Sequence, residues 1–118
     1  MTAFRLVEVG GGRASFECDV TDEVRNRVGS LHGGVIATLV DDAGTAAIAS
    51  ADAEGRFGMT TDLNVSYFAA AFEGTVMARA AVLKSGRTLA FVTVDVVDAA
   101  GRLLAQGRMT KFMPLPNR

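Results

Sequence analysis

The chain has 118 residues, a formal charge of −1, 49% hydrophobic and 21% charged residues, one cysteine, two prolines and no tryptophan. Such a chain is expected to form a single domain, 1–118, that buries roughly two-thirds of the surface its unfolded form exposes; disordered and collagen-like classes are excluded. Cys18 has no partner for an intrachain disulfide, which suits a reducing compartment, and the near-neutral charge argues against a nucleic-acid partner.

Ala3 to Val9 and Arg13 to Val20 read as paired strands. In the second, Ala14, Phe16, Cys18 and Val20 alternate with Ser15, Glu17 and Asp19, the period of a strand with one buried face. Gly10-Gly11-Gly12 joins them and supplies the positive φ angles of a tight hairpin. Arg5 within Met1 to Val7 argues against a signal peptide. The longest apolar region, Leu31 to Ala49, is interrupted by Asp41 and Asp42, so the expectation is a soluble cytoplasmic protein with no membrane partner.

Thr21 to Arg27 suits one short helical turn, with Thr21 at the N-cap and Asp22 and Glu23 in the first turn. After Gly33-Gly34 the period changes. Val35, Ile36, Leu39, Val40, Ala43, Ala46 and Ala47 recur at steps of three and four and predict one long helix, ending between Ser50 and Gly55. The rest is strand-like: 58–69, 75–84, 88–97 and 103–112. Ser85-Gly86-Arg87 and 98–101 serve as hairpin turns, short connections make the strands antiparallel neighbours, and Pro114 and Pro116 close the sheet. The expected class is α+β, one helix against one antiparallel sheet.

At about 100° per residue Asp41 lies almost opposite the apolar stripe, with Asp42 at its edge. Around Asp41 stand Ala37, Thr38, Gly44, Thr45 and Ile48, without the Lys, Arg or Glu of a solvated face. A second subunit covering this side is the expected explanation. An isolated helical Asp more often caps or pairs at an interface. Here, Gly44 and Thr45 leave room beside it, and Thr38 and Thr45 are placed to orient it or a water.

His32-Gly33-Gly34 opens the helix where unpaired N–H groups and the macrodipole favour negative charge, the logic of an oxyanion hole. A Gly-Gly helix start is more often only a turn, and a lone His more often structural. Gly33 and Asp41 stand eight residues apart. That is about 12 Å along a helix, too far for both to touch one carbonyl from the same chain. If both act, they come from different subunits of an antiparallel, two-fold pair.

Asn26-Arg27-Val28-Gly29-Ser30-Leu31-His32-Gly33-Gly34 with Asp41 downstream resembles the hotdog-fold acyl-CoA thioesterases of the phenylacetate-pathway (PaaI-like) type. The likeness runs nearly from Thr21 to Phe112 and takes in 60–67, 84–91 and 105–108. The resemblance implies an antiparallel sheet wrapped around a central helix, dimers pairing into homotetramers, and hydrolysis of acyl-CoA without a metal or other cofactor, coenzyme A being part of the substrate. It implies that the Gly33 N–H polarises the carbonyl and that Asp41 of the facing chain is nucleophile or general base. Asn26 and His32 would orient the carbonyl or water, and Thr60 and Thr45 would line the site; Thr60 stands where relatives often carry serine.

For the CoA arm the expected groups are Lys84, Arg87, Arg108 and Lys111, the open backbone of Ser85-Gly86 with Thr88 beside it, and Tyr67 flanking the pantetheine or acyl chain; an ordinary solvated hairpin is the plainer alternative. Cys18 is expected to be a buried structural thiol. The acyl group is expected to be aromatic or medium-chain. The competing readings are a non-catalytic acyl-CoA-binding domain and a hydratase, which usually shows an Asp followed by a His, whereas here the only His precedes Asp41.

Overall fold

The computed structural model describes residues 4–115; Ala3 and Pro116 lie outside the described residues. Strands β1 (Phe4–Gly10) and β2 (Arg13–Asp19) form the first hairpin, followed by a 3-10 turn at Asp22–Val24. The long helix α1 is Gly33–Ala51, and the remaining strands are β3 (Met59–Tyr67), β4 (Thr75–Ser85), β5 (Leu89–Val97) and β6 (Leu103–Phe112). The α+β expectation holds, with each strand within a few residues of its predicted bounds. Gly11 and Gly12 turn the first hairpin at φ +60° and +84°, a region where a side chain would be strained. Thr21 departs from its expected role: its side chain makes no capping bond, and its carbonyl accepts the Val24 N–H instead.

The six strands form one antiparallel sheet in the order β1-β2-β4-β5-β6-β3. β4 lies beside β2 rather than beside β3, its neighbour in sequence. That sends β3 to the far edge, where only β6 pairs with it. The core lies between α1 and the inner face of the sheet, where Val76, Ala78, Val92, Val94, Ala105 and Met109 meet the helix. Cys18 is fully buried there, and burial pushes its thiol up from the ordinary range, as suits a structural thiol.

The helix is turned from the expected stripe. Its buried residues are Ile36, Leu39, Val40, Ala43, Gly44, Ala47 and Ile48. Gly44 and Ile48, expected on the outer side around Asp41, pack into the core. A Cβ on Gly44 would stand 2.9 Å from Met109 Sδ and 3.0 Å from Val92 Cγ1, so the missing side chain lets α1 approach the sheet. Asp42 is exposed rather than at the core edge, and Asp41 is half-buried. The 19 residues and mean hydropathy of α1 would also suit a membrane span, but here the helix packs lengthwise on the sheet.

Asp52 ends the helix. Its carboxylate accepts the backbone N–H groups of Glu54 and Arg56, at 3.0 and 2.9 Å, and the Arg56 guanidinium at 2.8 Å. That guanidinium also donates to the carbonyls of Pro114 and Arg87, tying the helix end to the segment after β6 and to the β4–β5 turn. The Arg56 side chain first, then its backbone N–H, holds the Asp52 carboxyl down at about 2. A carboxyl depressed in the folded state stabilises the fold above its unfolded value of about 3.9 and loses that contribution as pH falls through the folded value. Asp52→Asn is therefore expected to cost about 1.5–3 kcal/mol at neutral pH. The deficit should shrink as pH falls from about 4 toward 2. Urea unfolding of both proteins at several pH values checks this, and a deficit independent of pH would contradict it.

Candidate active site

Two half-sites form at opposite ends of β3. At the first, α1 begins on His32, whose Nδ1 accepts the Gly34 N–H at 2.8 Å while its carbonyl accepts the N–H groups of Val35 and Ile36. Of the four donors that a helix start leaves open, these bonds satisfy the N–H groups of Gly34 and Val35, and the Val24 carbonyl accepts that of His32. The fourth, the Gly33 N–H, has no acceptor among the described residues. His32 is thus the helix cap, with its neutral-form proton on Nε2.

Tyr67, at the end of β3, donates its hydroxyl to the Gly33 carbonyl at 2.7 Å, and its ring lies 3.5 Å from where a Gly33 Cβ would stand. This bond fastens Tyr67 to the helix start. Asn26 Oδ1 accepts the backbone N–H groups of Val28 and Ser30 and its amide donates to Ser30 Oγ, so the side chain shapes the loop leading into α1. Asn26, Gly33, Ile36, Tyr67 and Phe68 line a pocket of about 350 Å³.

At the second half-site, Thr60 donates its hydroxyl to Asp41 Oδ1 at 2.9 Å. A β-bulge makes this possible. Leu63, Val65 and Tyr67 oppose the inward residues Met109, Gly107 and Ala105 of β6, and simple alternation would place Thr61 rather than Thr60 toward the helix. The register shift between Thr60 and Asp62 sets Thr60 opposite Lys111, another inward position. Thr45, one turn after Asp41, accepts from Lys111 Nζ at 2.8 Å. Thr38 does not reach Asp41, because its hydroxyl donates to the Gly34 carbonyl at 2.8 Å. Phe16, Asp41, Asp42, Thr45, Phe57 and Lys111 border a pocket of about 480 Å³.

The structure brings Asp41, Thr60 and Thr45 together at one end of β3, and Asn26, His32, Gly33 and Tyr67 at the other. The β4–β5 turn lies at the Asp41 end, because Lys111 pairs with Ala90 and Ala90 with Ser85. Within that turn the Gly86 N–H bonds the Leu89 carbonyl, and Lys84, Ser85 and Arg87 are exposed while Thr88 is half-buried. Arg108 stands apart. It pairs with Asn64 and Thr93 on the outer face of the sheet, beside a small groove with Asp62 and Phe91, and the fold does not bring it to Asp41 within one chain. Lys111, expected among the surface cations for CoA, is 4% exposed and faces the helix. Among the described residues no group of three or more His, Cys, Asp and Glu is placed to hold a metal ion.

A sequence profile of the Thioesterase superfamily matches residues 28–105, which take in Gly33, Asp41, Thr60 and Tyr67. The chain belongs to the thioesterase superfamily. This superfamily member is 42% identical to acyl-coenzyme A thioesterase 13 of Homo sapiens over 110 residues, 92% of this chain and 78% of that protein. The crystal structure of zebra fish thioesterase superfamily member 2 matches 95% of this chain and 82% of its own, with TM-score 0.90 and 41% identity. The Mus musculus thioesterase superfamily member 2 structure gives TM-score 0.85 at 35% identity over 95% and 83% of the two chains. A long helix against a six-stranded antiparallel sheet is accordingly the hotdog fold that the resemblance implied.

The sequence reading misses two features of the site. The bulge at Thr60 has no signal in a run that is uniformly strand-like. The buried position of Lys111 does have one: it alternates with Met109 and Met113, both inward-facing and buried.

Proposed function

We propose that this chain is an acyl-CoA thioesterase whose site is shared by two protomers, the Gly33 N–H of one holding the thioester oxygen while Asp41 of the other drives the attack. The observation that carries the reading is that the half-sites sit at opposite ends of one free edge strand. Thr60 and Tyr67 are seven residues apart on β3, about 23 Å, and β3 has an unpaired edge. Antiparallel pairing of β3 with its copy across a two-fold axis sets the Tyr67 end of one strand beside the Thr60 end of the other. Gly33 of one protomer then faces Asp41 of the next, giving two sites per dimer.

The chemistry follows from the groups. As base, Asp41 takes a proton from water, whose oxygen adds to the thioester carbon; the Gly33 N–H and the helix start hold the resulting oxyanion. Collapse breaks the C–S bond, and the proton leaves with the CoA thiol. As nucleophile, Asp41 adds to the thioester carbon and the C–S bond breaks, CoA leaving as its thiolate and taking a proton from water; water then hydrolyses the acyl-aspartyl anhydride to the free acid and the carboxylate of Asp41. Both routes need the carboxylate free to act, and Thr60 fixes only one of its oxygens.

The apolar parts of the two pockets, Phe16 and Phe57 at one and Ile36 and Phe68 at the other, favour an aromatic or medium-chain acyl group over acetyl. Lys84, Arg87 and the open turn from Ser85 to Thr88 lie at the Asp41 end for the CoA arm. Arg108 contributes where that arm passes to the outer face of the sheet.

Thiol release over a panel of aromatic and aliphatic acyl-CoAs tests the reading. Turnover by the oligomer is expected, most strongly for acyl groups larger than acetyl. A folded oligomer that binds acyl-CoA yet releases no thiol would make this chain an acyl-CoA-binding module instead.

A further inference from the structure

A lysine has no ordinary reason to occupy the 111 position. β6 presents Met109 and Lys111 in succession to the helix, Met113 follows just past the strand end, and their exposures are 2%, 4% and 0%. An ammonium placed there gives up hydration, which is costly unless nearby groups compensate. One Nζ proton is met by Thr45 Oγ1 at 2.8 Å. Among the described residues, the charges that act on Lys111 are the carboxylates of Asp41 and Asp42, one turn before Thr45 on the same helix. The other surrounding positions carry no charge: Thr60 on β3, Ala90 on β5, Phe16 on β2, and Phe57 and Gly58 before β3.

We propose that Lys111 is a positioning residue of the hydrolytic site: its ammonium, anchored on Thr45 beneath the helix, balances the paired carboxylates of Asp41 and Asp42 and sets the field in which Asp41 works. The inference rests on the reading of Asp41 as base or nucleophile. Two carboxylates at adjacent positions repel, and without a cation one of them takes up a proton more readily. Lys111 opposes that without occupying the carboxylates, because no ion pair joins it to either one within 4.0 Å. Asp41 therefore keeps an oxygen for water or substrate.

The titration of the neighbouring groups agrees. Burial pushes Lys111 down, and the charges of Asp41 and then Asp42 pull it up. Asp42 is pushed up by partial burial first and by Asp41 second, while Lys111 pulls it down.

Lys111→Met tests the proposal with little risk to folding, since methionine already fills the positions on either side and removing a buried charge is often neutral or stabilising. Loss of the cation favours the protonated carboxylate. The acid limb of the kcat/KM profile is thus expected to move up by about one pH unit, leaving the variant roughly tenfold below wild type on that limb and within a few-fold of it on the plateau. Lys111→Arg, if folded, keeps the charge and should restore the wild-type limb. An unmoved limb in Lys111→Met, with activity either unchanged or lowered equally at every pH, would overturn the proposal. Failure of the underlying reading looks different: wild type and Asp41→Asn would then release thiol equally, or neither would release it, and the proposal would fall with that reading.

Discussion

Gly33→Pro is expected to leave the fold intact and to lower kcat by about 100- to 1,000-fold, the usual cost of removing one oxyanion donor. The position suits the substitution unusually well. Gly33 is the first helical residue after the His32 cap, where proline is readily accommodated because its missing N–H would have had no intrahelical partner. His32, with φ −61° and ψ 134°, already has the extended conformation that the residue before a proline requires. The Tyr67 ring is 3.5 Å from a Cβ at this site, an ordinary contact. The change therefore removes the one helix-start donor without an acceptor and spares the Gly34 N–H bond to His32 Nδ1. Circular dichroism and thermal melting should match wild type while thiol release collapses. A fully active, folded Gly33→Pro would exclude Gly33 as the oxyanion donor. Gly33→Ala is the control, since it keeps the N–H and should keep most of the activity.

Asp41→Asn should reduce kcat/KM by at least about 100-fold, because the amide can neither accept a proton from water nor attack the thioester. Stability should change little: Asp41 is half-buried, and asparagine can still accept the Thr60 hydroxyl through its side-chain oxygen. Asp42→Asn should cost much less, since Asp42 is exposed and receives no hydrogen bond from Thr60. Steady-state kinetics at matched oligomeric state separate the two. Equal losses from both variants would mean that the site needs the negative charge of the pair rather than a particular carboxylate.

Much of this arrangement is legible in the sequence. Strands with clean alternation, such as Ala90 to Val96, declared their buried face because each inward residue is apolar and its neighbours are larger or polar. The helix declared its existence but not its rotation. Alanine and glycine occupy so much of its surface that the apolar stripe has soft edges, and periodicity alone puts Gly44 and Ile48 on the wrong side. In a helix of this kind the close approach allowed by a missing side chain decides which face meets the sheet, and that depends on Val92 and Met109 from distant strands. The place of β3 at the sheet edge likewise reflects which partners β2 and β6 find across the sheet, not the length of its connection to β4. Thr60 is legible only through family resemblance, since only a bulge turns it toward Asp41. Lys111 reads as a surface cation by residue type, although its alternation with buried methionines points inward.

The claim that two chains build each site is tested most directly by complementation. Gly33→Pro and Asp41→Asn chains, each nearly inactive alone, are dissociated, mixed in equal amounts and reassembled. In a shared site a mixed dimer holds one site with both changes and one with neither. Random pairing makes about half the dimers mixed, so thiol release should recover to about a quarter of the wild-type rate. If Gly33 and Asp41 of the same chain served one site, no mixed dimer would contain an intact site. The mixture would then stay at the level of its two components, contradicting the shared arrangement.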